Sequence, residues 1–437
     1  MSWALLRREL PRLAAMVLVL QLGFLVLLVA GAAFPDRPIV ERLASDVAAR
    51  AYGPSGVSDG QGGRATSFTD CVAAGTGLGA PGMSAFERAV RMPRLGSCAV
   101  GARQVARLQR GEQVGRAEYF RYWAGYTVLT RPVLAAGGMD GMRLVAGGLF
   151  GLALIVMVLA VSRVTSLGYA MALTAPLLLS SNVLSVPATA FSHALSLAVA
   201  FGGIALVARA TRHLERSVLY AVAVGACLFN FVDLLTTPAL PWAMTSAVVA
   251  AAAFTRTRSL SAAVWSGFVS AGVWAVAFVV TWVSRWVIAA VVLGPGHVRA
   301  NVTDTARFRI DGEFRTVSQM FGAAVVRNVR TWLDVPVTPW VVMAACAGIA
   351  AAALVVAVRA YGVARLQVAA VLAAPALIAP VWMLVLSNHS QIHSIFVYRT
   401  IPVSLGIVVG ACLMAARGGR TDPDACVGDR NRRVEDT

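Results

Sequence analysis

The chain has 437 residues, of which 58% are hydrophobic and only 14% charged, whereas a water-soluble globule carries roughly a quarter of its residues as charged ones. That balance excludes an ordinary soluble enzyme. The formal charge of +17 comes from Arg alone, with no Lys, and these residues punctuate apolar blocks instead of gathering on a soluble domain, which argues against nucleic acid as a partner.

The apolar blocks are about twenty residues long, the length that crosses a hydrocarbon layer of roughly 30 Å as a helix. They predict an all-α integral membrane protein with about ten transmembrane helices and one long extracytoplasmic loop. A composition without Lys and dominated by Ala, Val, Gly and Leu reads as a high-GC bacterial genome, so the expected location is the bacterial cell (inner) membrane.

Residues 1–34 are read as a cytoplasmic N-terminus and first span, running from Arg12 to Phe34 behind Arg7 and Arg8. This start resembles a signal peptide, but its apolar stretch exceeds a usual signal core, so it is kept as a helix; cleavage after Ala30 to Ala33 would remove it. Residues 35–141 form an extracytoplasmic loop region too long for a simple connection, with a short helix expected near Ser84 to Arg94. Residues 142–416 form the multispanning domain. Its spans are placed at 143–162, 166–182, 189–208, 217–233, 240–254, 262–291, 337–358, 367–386 and 397–416, with an outer loop at 292–336. The charged, apolar-poor stretch 417–437 reads as a disordered cytoplasmic tail.

The connections set the orientation, because short cytoplasmic loops carry the excess of Arg. Arg7, Arg8 and Arg12 precede the first span, and Arg163, Arg209, Arg212, Arg216, Arg256, Arg258, Arg359, Arg365, Arg417 and Arg420 follow even-numbered exits. Both termini are therefore expected in the cytoplasm. The Arg-rich segments 35–141 and 292–336 are long translocated segments, which are largely exempt from the rule.

Cys227, Cys346 and Cys412 fall inside apolar spans, where a thiol behaves as a small hydrophobe. Cys71 and Cys98 share the long polar loop and are a candidate disulfide if that loop faces an oxidising compartment.

The unusual polar residues collect on the expected outer side. Asp70, in Ser67-Phe68-Thr69-Asp70-Cys71, is a candidate general base, which must reach the hydroxyl it deprotonates. Asp233 ends a span before Leu234-Leu235-Thr236-Thr237-Pro238; at such a place a carboxylate costs several kcal/mol unless paired or hydrated, so it either anchors a helix break or lines a site. Tyr122, Trp123 and Tyr126 belong to an aromatic run that reads as an interfacial belt or as a platform for sugar rings, with Arg131 supplying charge nearby. Asn388, His389 and His393 make a polar group whose two His share a helical face, suited to hydrogen bonding a sugar or phosphate; no third metal ligand stands beside them. Arg399 and Arg285 suit a lipid phosphate, each offering a planar fork of donors, or else snorkel to the headgroups.

A first loop with a candidate acid, many spans and an outward-facing polar site resemble the GT-C class of membrane glycosyltransferases. More specific are the strings Phe68-Thr69-Asp70, Tyr122-Trp123-Ala124-Gly125-Tyr126, Asp233 to Pro238 and Asn388 to Arg399, which are similar to those of a poorly characterised group of bacterial multispanning membrane proteins. The resemblance implies a polyprenyl-phosphate-linked sugar as donor, a cell-envelope glycan or lipid as acceptor, Asp70 as base, and Arg399 with Arg285 as ligands of the carrier phosphate. In that class the acid usually follows the first helix directly, where this chain has Asp36 in Phe34-Pro35-Asp36-Arg37, so Asp36 is a rival base. No cofactor is fixed, and a divalent cation stays open because the loop has no paired-acid DxD. Competing readings are a flippase or transporter of lipid-linked glycans, a ligase or polymerase, and an envelope scaffold.

Overall fold

The computed structural model describes residues 3–58, 64–79, 81–213, 215–310 and 317–417. Residues 418–437, most of the expected disordered tail, lie outside them. The architecture is all-α. Helix α1 (Trp3–Ala33) leads into a cap built from α2 (Asp36–Ala48), α3 (Phe68–Gly75), α4 (Ala85–Arg91) and α5 (Cys98–Gln109), with two small antiparallel ribbons, β1 (Gly56–Ser58) on β2 (Arg64–Thr66) and β3 (Pro93–Arg94) on β4 (Ala117–Glu118). The bundle then follows as α6 (Thr127–Val164), α7 (Leu167–Ser180), α8 (Val186–Thr189), α9 (Phe191–Ala210), α10 (Glu215–Val232), α11 (Ala239–Thr257) and α12 (Leu260–Leu293). It ends with α13 (Pro295–Ile310), α14 (Ala323–Leu333), α15 (Thr338–Tyr361), α16 (Arg365–Ala373), α17 (Ile378–Val385), α18 (Ser387–Ile392), α19 (Ser394–Val397) and α20 (Thr400–Ala415).

Among the described residues, eight helical segments are long and apolar enough to cross a membrane, and nine if α7 and the bent 182–189 segment are one span broken by 72°. The remaining expected span, 240–254, is α11, which is buried almost throughout from Ala239 to Phe254. Its Ala, Ser and Thr side chains let neighbours approach closely; a Cβ placed on Gly267 of α12 would lie 3.1 Å from the Cβ of Ala250. The Arg residues at the helix ends remote from the cap form a collar, tied across by Arg256 to the Thr211 carbonyl at 3.3 Å and Arg417 to the Thr165 carbonyl at 3.0 Å.

The structure departs from the sequence reading between residues 119 and 141, expected to be the end of an outer loop. Here the chain turns back among the spans. Gly125 N donates to the Phe231 carbonyl at 2.7 Å, a place where any Cβ would fall 2.4 Å from the Phe231 ring. Helix α6 starts at this depth and breaks at Gly138, whose φ of 64° and ψ of −156° are open only to glycine. Met139 N, at the start of the onward helix, is capped by Asp46 Oδ2 of α2 at 2.8 Å.

Trp123 is the wedge of this segment. It is fully buried, donates through Nε1 to the Thr281 carbonyl of α12 at 2.6 Å, and packs edge-on against Phe24 at 5.7 Å. Arg285 lies beneath it, with Nε donating to the Phe120 and Tyr122 carbonyls at 3.1 and 3.0 Å and one terminal nitrogen to the Ala89 and Val90 carbonyls at 3.0 and 2.7 Å. The last two belong to the C-terminal turn of α4, where carbonyls carry partial negative charge. Arg285 therefore neither snorkels nor faces a lipid phosphate, and it closes a helix end inside the protein. Truncating Trp123 to Ala should cost about 3–5 kcal/mol and free the re-entrant segment; a thermal unfolding midpoint in detergent that stays at the wild-type value would rule out the wedge.

Candidate functional site

The sequence of α9 opens with Phe191-Ser192-His193, whose first backbone donors have no partner within the helix. Asp70 supplies one from α3: Oδ2 accepts from Phe191 N at 3.0 Å, and Oδ1 from Ser192 N and Ser192 Oγ, both at 3.2 Å. Cys71, the next residue, is bonded to Cys98 at the start of α5 with an S–S distance of 2.03 Å, fixing the turn that carries Asp70. The carboxyl is fully buried. Burial pushes it up to about 7 against the pull of the Ser192 and Phe191 donors.

One residue along, His193 brings the site into the bundle. Arg399, N-terminal to α20, donates through a terminal nitrogen to His193 Nδ1 at 3.2 Å and through Nε to Asn182 Oδ1 at 2.8 Å. A guanidinium only donates, so Nδ1 holds a lone pair and the imidazole proton sits on Nε2. That Nε2 is buried and has no hydrogen-bond partner among the described residues. The Asn182 backbone N–H is taken by Tyr398 Oη at 3.0 Å, so α7, α9 and α20 are joined around the pair.

Asp233 follows α10 and shapes the other wall. Its oxygens accept from Thr236 N at 2.7 Å and Thr236 Oγ1 at 2.5 Å, which caps the break before Pro238. Asp233 also acts electrostatically on Arg399 without a direct bond. Leu235, in the break, adopts a φ of 64°, and its carbonyl accepts from His389 Nε2 at 2.7 Å. The His389 and His393 rings are 4.7 Å apart, and Phe396 lies between His393 at 5.1 Å and His193 at 4.9 Å. Asn388 instead turns to the Phe308 carbonyl at 2.9 Å. Thus Asp233, His389, His393 and Arg399 gather with His193 and Asn182 in one buried polar centre, and Asp70 joins it only through the first turn of α9, at Phe191 and Ser192. His193 and Asn182 escaped the sequence reading because both lie within or beside apolar blocks read as plain spans.

Asp36 lies elsewhere, on the wall of an open cleft of about 910 Å³ beside the end of α1. Arg88 and Arg131 both donate to Oδ1, at 2.7 and 2.6 Å, and Gly79 N to Oδ2 at 2.8 Å. Arg131 also holds the Phe34 and Gly77 carbonyls. Permanent charges thus occupy the carboxylate expected as a rival base. Tyr122, Trp123 and Tyr126 are buried, with Tyr126 Oη 3.3 Å from Thr76 Oγ1, so the aromatic run is packing, not an open sugar platform. Among the described residues no three His, Cys, Asp or Glu side chains are arranged to hold a metal.

Asp70→Asn retains an acceptor for α9, whereas Asp70→Ala leaves the helix start uncapped and should lose about 1–2 kcal/mol. Because the folded-state carboxyl sits at about 7 against an ordinary 3.8, its contribution to stability is full below pH 4, falls as pH rises to 7 and is constant above. Unfolding midpoints in detergent across this range should slope less for Asp70→Asn than for wild type; parallel slopes would remove Asp70 as their source.

Comparison of the chain with family models, curated proteins and solved structures finds no match for any of the three.

Proposed function

We propose that the protein is a GT-C-like membrane glycosyltransferase, moving a sugar from a polyprenyl-phosphate carrier to an envelope glycan or lipid acceptor. One observation carries the reading: a buried guanidinium, Arg399, is held by two neutral acceptors, Asn182 and His193, and His193 follows Ser192, which donates to the buried acid Asp70. A buried charge is costly unless an opposite charge answers it, and a carrier phosphate is the anion that a planar fork of donors fits. In the proposed step the acceptor hydroxyl attacks the anomeric carbon and yields its proton to Asp70. The bond between that carbon and the carrier phosphate oxygen breaks, and the leaving phosphate rests on Arg399 and the His193 Nε2–H.

The cap end is proposed to face outward from a bacterial inner membrane, with both termini cytoplasmic. The Cys71–Cys98 bond favours an oxidising side, and the Arg collar at the opposite end favours the cytoplasm. A second reading, a transporter of lipid-linked glycans, gains from the 72° break after α7 and the unwound 233–238 segment, since transporters place ligands at discontinuous helices.

Vesicles given labelled polyprenyl-phosphate sugars should form glycoside with wild type. Asp70→Asn should reduce the rate at least about 100-fold, the usual effect of removing a general base, at unchanged expression. Equal transfer by the variant would exclude Asp70 as base, and carrier crossing the bilayer with no glycoside formed would favour transport.

A further inference from the structure

The cleft beside α1 is lined by three guanidinium groups, Arg37, Arg88 and Arg116, and three carboxylates, Asp36, Glu41 and Glu112. Asp36 is the carboxylate shared by Arg88 and Arg131, and a third guanidinium, Arg116, lines the same cleft. Arg116 makes no ion pair among the described residues, and its Nε and one terminal nitrogen are buried with no hydrogen-bond partner among them. Burial pulls this group down, with Asp36 opposing that and Arg88 adding to it. The other acids of the wall are engaged elsewhere, Glu41 by Arg37 and Glu112 by Arg107 and Arg110.

Two further features point the same way. Helix α2, of 13 residues, begins in the cleft at Asp36, and its N-cap, Pro35, offers no side-chain cap, so the positive end of the helix dipole adds to the guanidinium field. The lining includes Ala32, Ala33 and Phe34, where the apolar run of α1 ends. The volume, about 910 Å³, lies within the range that encloses a small-molecule ligand.

We infer that this cleft binds a phosphate oxyanion at the membrane interface, a site separate from the His193–Arg399 centre and independent of glycosyl transfer. Arg116, in reach of Asp36 and Arg88, is its determinant, and Asp36 keeps the neighbouring guanidinium groups aligned.

The full chain in phosphatidylcholine nanodiscs provides the test, read as the thermal unfolding midpoint after phosphatidylglycerol is added to the bilayer or inorganic phosphate to the buffer. At least one addition should raise the wild-type midpoint by several degrees. Arg116→Gln should lose most of that shift and Arg116→Lys should keep part of it. Met83→Glu, which adds a negative charge to the cleft wall without removing a hydrogen bond given above, should lose it as well. A shift with phosphatidylglycerol alone assigns the oxyanion to a lipid headgroup, and a shift with inorganic phosphate assigns it to a soluble source. No shift with either, or an undiminished shift in both Arg116→Gln and Met83→Glu, overturns the inference.

Discussion

Asp70 closing the first turn of α9 is one instance of the constraint that organises the whole cap end. A helix that starts or stops within an apolar layer exposes backbone donors or acceptors that lipid cannot satisfy, and here charged side chains from other segments satisfy them. Asp46 answers the helix that resumes after Gly138, Asp70 answers α9, and Asp233 answers the break before α11. Arg285 does the converse for the C-terminal carbonyls of α4. Apart from Asp233, which caps its own break at Thr236, each contact joins elements far apart in sequence, tying the cap to the bundle.

The same constraint separates two buried Arg residues that look alike in sequence. Arg285 has its Nε and one terminal nitrogen on four carbonyls, including a helix end whose dipole stabilises the charge. Arg399 has side-chain acceptors that are neutral and an Asp233 that acts only at a distance. The first arrangement serves a helix end inside the protein, with the other terminal nitrogen of Arg285 buried and without a hydrogen-bond partner among the described residues. The second sets a guanidinium beside His193, whose Nε2 also has no partner among them, and this pairing is why Arg399 carries the chemical proposal.

Sequence reasoning reached what depends on local composition. Apolar blocks located the helices, including α11, and the polar loop held the paired Cys71 and Cys98. The break at Asp233 was also legible, since a carboxylate before Thr236 and Pro238 has few other local uses. The packing of residues 119–126 was not, because Tyr119 to Tyr126 has the composition of an interfacial belt and only the contacts of Trp123 with Thr281 and of Gly125 with Phe231 show what it packs against. His193 was hidden by its apolar neighbours. The available signal was the polar pair Ser192-His193 at the start of a span, where unsatisfied backbone donors call for a partner.

The polar centre is closed to solvent, with Asp70, His193, Asp233 and Arg399 all at 3% exposure or less. A substrate therefore reaches it only if a wall moves. On one side of the centre stand the short helices α18 and α19, of six and four residues, and the 233–238 break, where Leu235 sits in the left-handed region. They are linked by the His389 bond to the Leu235 carbonyl. Displacing that imidazole would release both segments from each other, while Asp70 and the Cys71–Cys98 bond hold the start of α9 in place. The centre is thus walled on one side by the start of α9, which carries His193, and on the other by the segments that carry His389, His393 and the break at Leu235.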